Sequence, residues 1–179
     1  MKRAQLKELL TNYGPIEFWW MDHAVGDGGL SHRETVEWIH KFQPNTFVGF
    51  NTGQTAGRLS LRERGRPGEL GDAKAASPWN KDGETKEHNY LVAEFTYPIL
   101  PPHEGGADWF YSLPKHDSLC ISAESIYADY VDSVKYGNIF SLNIGPNYEG
   151  RIREIDVKTL RHVGQMIRDN AASQGIIVR

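Results

Sequence analysis

The chain has 179 residues, a formal net charge of −3 and an ordinary globular composition, so it is long enough for a single domain with a real core. Lysine and arginine are scattered instead of lining one face, which argues against a nucleic-acid partner, and no run of about eighteen apolar residues predicts a membrane span. The single cysteine, Cys120, permits no intrachain disulfide and leaves no basis for a cysteine metal site; it reads as a small buried apolar residue.

Leu6, Leu9, Leu10 and Tyr13 recur at helical spacing and Gly14-Pro15 stops the pattern, so the amino terminus reads as an amphipathic helix and not as an export signal. The apolar run Ile16-Glu17-Phe18-Trp19-Trp20-Met21 then ends abruptly in Asp22. Runs of this length bounded by turn signals read as strands buried on both faces, and Asp22 falls at the carboxyl end of this one. In an α/β barrel that end carries the catalytic side chains, although aspartates also cap turns and helices. Ser31-His32-Arg33-Glu34 is a capping-box pattern and opens a helix to about Phe42; Thr46 to Asn51 is the next strand.

Between Thr52 and Asn89 the periodicity lapses into a long polar stretch rich in glycine and arginine, including Arg58. It is expected to be a substrate-side loop, the alternative being a solvated insertion. Strands are then expected over Tyr90 to Ile99, over Asp108 to Ser112 and over Asn138 to Pro146, with helices from Ser122 to Gly137 and from Asp156 to about Asp169. Alternating strands and helices predict a parallel sheet with crossover helices.

Two carboxylates stand where apolar residues are expected, Asp22 at a strand end and Glu94 inside a strand. Burial of Glu94 should raise its pKa and suit it to act as a general acid. Parallel strand ends point the same way, so the two can converge on one pocket. An ionised and a protonated carboxyl are the minimal equipment for glycoside hydrolysis. Trp19, Trp20, Trp109, Phe110 and Tyr111 could offer faces to a sugar ring, or could simply be core. Asp22, His23 and Asp27 are a weaker candidate for a divalent metal site, because no second histidine lies at ligand spacing.

The chain resembles the second half of the catalytic barrel of the α-L-fucosidases of glycoside hydrolase family 29. The matching residues are Gln5 to Gly14, Phe18-Trp19-Trp20-Met21-Asp22, Gln43-Pro44-Asn45, Val92-Ala93-Glu94, Asp108-Trp109-Phe110-Tyr111, and Asn138 to Asn147 with Gly150 and Ile152. This resemblance implies the carboxyl-terminal half of a (β/α)8 barrel over residues 1–179 and retaining hydrolysis of terminal α-L-fucose from glycans without a metal or other cofactor. Asp22 would be the nucleophile and Glu94 the acid/base. Trp20, His23, Arg58, Trp109 and Asn143 would bind substrate. The Asp108 segment and the Gly26-Asp27-Gly28 loop are closer to the branch acting on α-1,3 and α-1,4 linkages. Secreted, periplasmic or lysosomal proteins are usual in the family.

Departures accompany the resemblance. His23 stands where the family usually has glycine, no His-His pair occurs, and the first half of the barrel and the terminal β-sandwich have no counterpart. Five strands cannot close an eight-stranded barrel. The expectation is therefore a partial barrel that self-associates or pairs with a missing half, with a catalytically incomplete carbohydrate-binding chain as the alternative function and a metal-dependent hydrolase as a more remote one.

Overall fold

In the computed structural model, residues 2–22, 30–52, 56–64, 92–103, 108–110 and 113–173 are described. They form two compact units, Met1–Glu63 with Glu69–Glu94, and Arg64–Gly68 with Phe95–Arg179.

The first unit starts with α1 (Lys2–Asn12), which ends where Gly14 takes a φ of +82°. The chain then enters β1 (Phe18–Met21) under the control of one side chain. Gln43 donates from Nε2 to the carbonyls of Leu10 and Gly14, both at 2.9 Å, and its Oε1 accepts the Ile16 N–H at 2.7 Å. Three backbone groups left unpaired between helix and strand are thereby satisfied. In α2 (His32–His40) the capping box forms in both directions: Ser31 Oγ accepts the Glu34 N–H and Glu34 Oε2 accepts the Ser31 N–H. The Ser31 N–H and hydroxyl, both donating to Oε2, hold the Glu34 carboxyl below its ordinary pKa. The helix buries Val36 and Ile39 against Leu10, Met21, Val48 and Phe50.

Two further strands, β2 (Phe47–Phe50) and β3 (Arg58–Glu63), lie parallel beside β1 in the order β1-β2-β3. Phe18 pairs with Phe47 and Met21 with Phe50; Val48 pairs with Arg58 and Gly49 with Leu59. Gly57 has to be glycine for this approach, because a Cβ there would lie 2.0 Å from the Val48 carbonyl oxygen. The strand at 58–63 corrects the expectation of a loop throughout 52–89. Leu59 and Leu61 do alternate with polar residues, but the surrounding arginines and glycines hide a period of two that is only three residues deep. Residues 65–91 lie outside the described residues.

The strand β4 (Val92–Pro98) runs from the first unit into the second, where its neighbour is β5 (Ile139–Asn143). Two helices, α3 (Ala123–Val134) and α4 (Glu154–Ser173), pack together, with Ile99, Ala123, Ile126 and Val163 forming the core. Ser122 caps α3 by accepting the Ser125 N–H, and Gly137, at φ +72°, follows its end. The connection into α4 is tied down by Arg153, which meets Asp156 with both arms of its guanidinium at 2.7 and 2.8 Å and donates to the carbonyls of His116 and Leu119. Both side chains are almost fully buried. The expected strand at Asp108–Ser112 does not form in its described part, because residues 108–110 are a turn; an aromatic cluster flanked by glycine and proline has strand composition without a partner to pair with.

Candidate active site

Three parallel strands of the first unit bring polar side chains to their carboxyl ends. Asp22 follows β1 directly and is exposed. The backbone ladder continues one residue past β1 and β2, with the Asn51 N–H donating to the Met21 carbonyl at 2.9 Å, and this sets Asn51 beside Asp22. The Asn51 side-chain nitrogen donates to Asp22 Oδ1 at 3.1 Å and to Oε2 of Glu63, the last residue of β3, at 2.9 Å. One amide thus holds two carboxylates.

Glu94 lies lower in the sheet, within β4, and is only 1% exposed. Its Oε2 accepts the Trp20 indole N–H at 3.0 Å. Successive strand residues face opposite sides, and the two tryptophans of β1 divide accordingly: Trp19 packs on the hydrophobic cluster under α2 while Trp20 turns to Glu94. Arg58 is at the other end of its strand. It opens β3 with a φ of 62° and lays its guanidinium over the Phe47 ring, 5.7 Å from the centroid. A cleft of about 560 Å³ lined by Leu10, Gly14, Gln43 and Asn45 is likewise on the amino-terminal side of β1 and β2, away from Asp22.

In the second unit Asp108 and Trp109 form a turn after β4. The Arg64 guanidinium pairs with the Asp108 carboxylate and lies 5.0 Å from the centroid of the Trp109 ring. Asn143, the last residue of β5, donates from its side-chain nitrogen to the Trp109 carbonyl at 2.9 Å. Among the candidate residues, then, Asp22 has gained Asn51 and Glu63 as neighbours, Glu94 has gained Trp20, and Trp109 is tied to Asn143. His23 and Asp27 lie outside the described residues. Among the described residues no group of three His, Cys, Asp or Glu side chains is placed to hold a metal ion. Burial pushes the Cys120 thiol up, away from the thiolate form a nucleophile needs.

Asn51 and Glu63 carried too little signal to be singled out from the sequence. Asn51 ended an expected strand, and Glu63 was one of several charges in an arginine-rich stretch. Recognising β3 as a strand would have found Glu63, because it then becomes a carboxylate at a strand's carboxyl end, as Asp22 is.

A family model described as alpha-L-fucosidase matches residues 1–172. Alpha-L-fucosidase 1 of Arabidopsis thaliana is 27% identical over 179 residues, covering 91% of this chain and 33% of that protein. Putative alpha-L-fucosidase 1 of Oryza sativa subsp. japonica is 26% identical over 188 residues, covering 96% and 34%. The chain therefore spans about a third of the length of these curated relatives. Among solved structures, alpha-L-fucosidase isoenzyme 1 from Paenibacillus thiaminolyticus superposes with a TM-score of 0.67 at 26% identity, over 96% of this chain and 39% of that one. Alpha-L-fucosidase AlfC from Lactobacillus casei, in complex with its α-L-fucose product, has a TM-score of 0.61 at 20% identity, a likeness of fold covering 94% and 44%. The fold is accordingly a partial TIM-like barrel of five parallel strands with helices, as the sequence led one to expect.

Proposed function

Because this chain belongs to the α-L-fucosidase family, matched over residues 1–172, we propose that it forms the part of a retaining α-L-fucosidase that carries the reacting carboxylates. The substrate is terminal α-L-fucose on a glycan, with α-1,3 and α-1,4 linkages the preferred class on the strength of the Asp108-Trp109-Phe110-Tyr111 segment. Asp22 is the nucleophile: it attacks the anomeric carbon, the bond to the leaving oxygen breaks, and a covalent fucosyl ester forms on the carboxylate. A second carboxyl protonates the leaving oxygen, then takes a proton from the water that hydrolyses the ester.

The observation that carries this reading is the Asn51 amide bonded to Asp22 and Glu63 together. It supports Glu63 as the acid/base, since Glu63 is exposed at a strand end, as a residue that must reach a leaving group has to be. Glu94, implied by the family resemblance, is the second reading. Its carboxyl is enclosed in the sheet, and its Oε2 accepts the Trp20 indole N–H. On the first reading Glu94 keeps Trp20 in place as a wall of the sugar site.

The test is hydrolysis of an aryl α-L-fucoside by the chain and by its Asp22→Ala, Glu63→Ala and Glu94→Ala variants, with and without azide. For Asp22→Ala, hydrolysis without azide should be lost, and any product formed with azide should be fucosyl azide of inverted configuration. For Glu63→Ala, azide should restore turnover and yield fucosyl azide of retained configuration. Azide rescue confined to Glu94→Ala would transfer the acid/base role to Glu94. Fucose binding without turnover in the parent would support the carbohydrate-binding alternative.

A further inference from the structure

Arg64 is used by nothing in the reaction just described, yet it pairs with Asp108 and lies over the Trp109 ring. Its backbone is left-handed, with a φ of 54°, an unusual conformation for a residue with a side chain, and one that clusters where the surrounding structure imposes it for function. The conformation is fixed by its own N–H, which donates to the Thr96 carbonyl on β4 at 2.7 Å. From there the side chain reaches two consecutive residues of the turn after β4. It pairs with Asp108, whose side chain is only 12% exposed, and places its plane against the Trp109 ring.

Trp109 is consequently held twice, through its ring by Arg64 and through its carbonyl by the Asn143 side chain. Phe110, the next residue, is 76% exposed. An indole that only filled core would need neither a cation on its face nor a fixed carbonyl. Arg64, Trp109 and Asn143 also all lie at the carboxyl ends of their strands or just beyond, the side on which α/β barrels build their binding sites.

We propose that Arg64 is a positioning residue that orients Trp109 as a stacking face for a sugar ring, with Asp108 fixing the guanidinium and Asn143 the backbone. The proposal rests on the fucosidase reading for the identity of the sugar. A guanidinium suits the task better than an ammonium, because its plane can pair with a carboxylate at its edge while its face lies on an aromatic ring.

The chain is labelled with 5-fluorotryptophan, and the 19F resonances of Trp109 and Trp20 are assigned with Trp→Phe substitutions. Arg64→Ala should shift the Trp109 resonance of the free chain toward that of a solvated indole while leaving Trp20 unmoved, and Arg64→Lys should lie between the two. On titration with an α-1,3/1,4-fucosylated oligosaccharide, Trp109 should respond in the parent and the apparent affinity should fall about tenfold in Arg64→Ala. An unmoved Trp109 in free Arg64→Ala overturns the proposal whatever the sugar does. If sugar moves Trp20 but not Trp109, the proposal falls and the fucosidase reading stands. If it moves neither, the fucosidase reading falls and takes the sugar-stacking role with it.

Discussion

Asn51 donates to Asp22 from the carboxyl end of the neighbouring parallel strand, at 3.1 Å and across 29 residues of sequence. The same nitrogen also donates to Glu63 Oε2 at 2.9 Å, so a single amide serves both carboxyl groups. Hydrogen bonds to charged acceptors are worth about 1.5–3 kcal/mol. The following predictions begin from it.

Asn51→Ala should lower kcat on an aryl fucoside by about 10- to 100-fold, the equivalent of one such bond, with a smaller change in KM. Asn51→Asp should be at least as damaging, because it places a third carboxylate where a donor is required. Steady-state kinetics on both variants checks this, and parental kcat in Asn51→Ala would remove the amide from the mechanism.

Trp20→Phe removes the indole donor and leaves a nearly fully buried Glu94 oxygen without it. The expected cost is about 1–3 kcal/mol of stability, read as a lower urea midpoint at unchanged slope. Glu94→Gln retains an acceptor for the indole and should cost less. Equal losses in the two variants would mean that the Trp20–Glu94 bond is not what stabilises this part of the sheet.

Arg153 and Asp156 form a buried pair with 3% and 1% of their side-chain surface exposed. Removing one partner strands the other charge, so Asp156→Asn and Arg153→Met should each cost about 3–5 kcal/mol. The double substitution should cost clearly less than the sum, since the stranded charge is then gone. Thermal or denaturant unfolding of the three variants decides this; additivity would show that the two side chains act independently.

His116 should make the second unit sensitive to acid. Burial holds its pKa below the ordinary 6.5, and His103, Lys115 and Arg153 push it the same way, against Asp117 alone. Its ring centroid is 4.0 Å from that of His103, its Nδ1 accepts the Leu113 N–H, and its buried Nε2 has no hydrogen-bond partner among the described residues. Below about pH 6.5 the unfolded chain binds a proton that folded His116 refuses. Stability therefore falls as pH drops from that value toward the depressed folded one. Melting temperatures between pH 7.5 and 5 should show this decline, with a shallower one in His116→Phe. An unchanged slope in the variant would assign the effect to other groups.

Local chemistry made much of the fold legible in advance. The Ser31 and Glu34 capping box, the helix-spaced leucines before Gly14 and the apolar runs ending at Asp22 and Asn51 each depend on residues within a few positions of one another. The strand at 58–63 was not legible, because the segment's arginines are tolerable only once Leu59 is buried beside Gly49 and Arg58 has the Phe47 ring to lie on. The turn at Asp108 went unread for the converse reason: its residues have strand propensity, and strand formation needs a pairing partner that local sequence does not name.

By itself, then, the sequence determined the alternation of strands and helices, the family, and the placement of Asp22 at the end of a strand, all of which follow from periodicity, caps and contiguous motifs. Only the tertiary structure decided which groups Asp22 meets. Strand register fixes that choice: pairing Met21 with Phe50 sets Asn51 next to Asp22, pairing Gly49 with Leu59 brings Glu63 within reach of the same amide, and a slip of one residue would turn these side chains to the other face of the sheet.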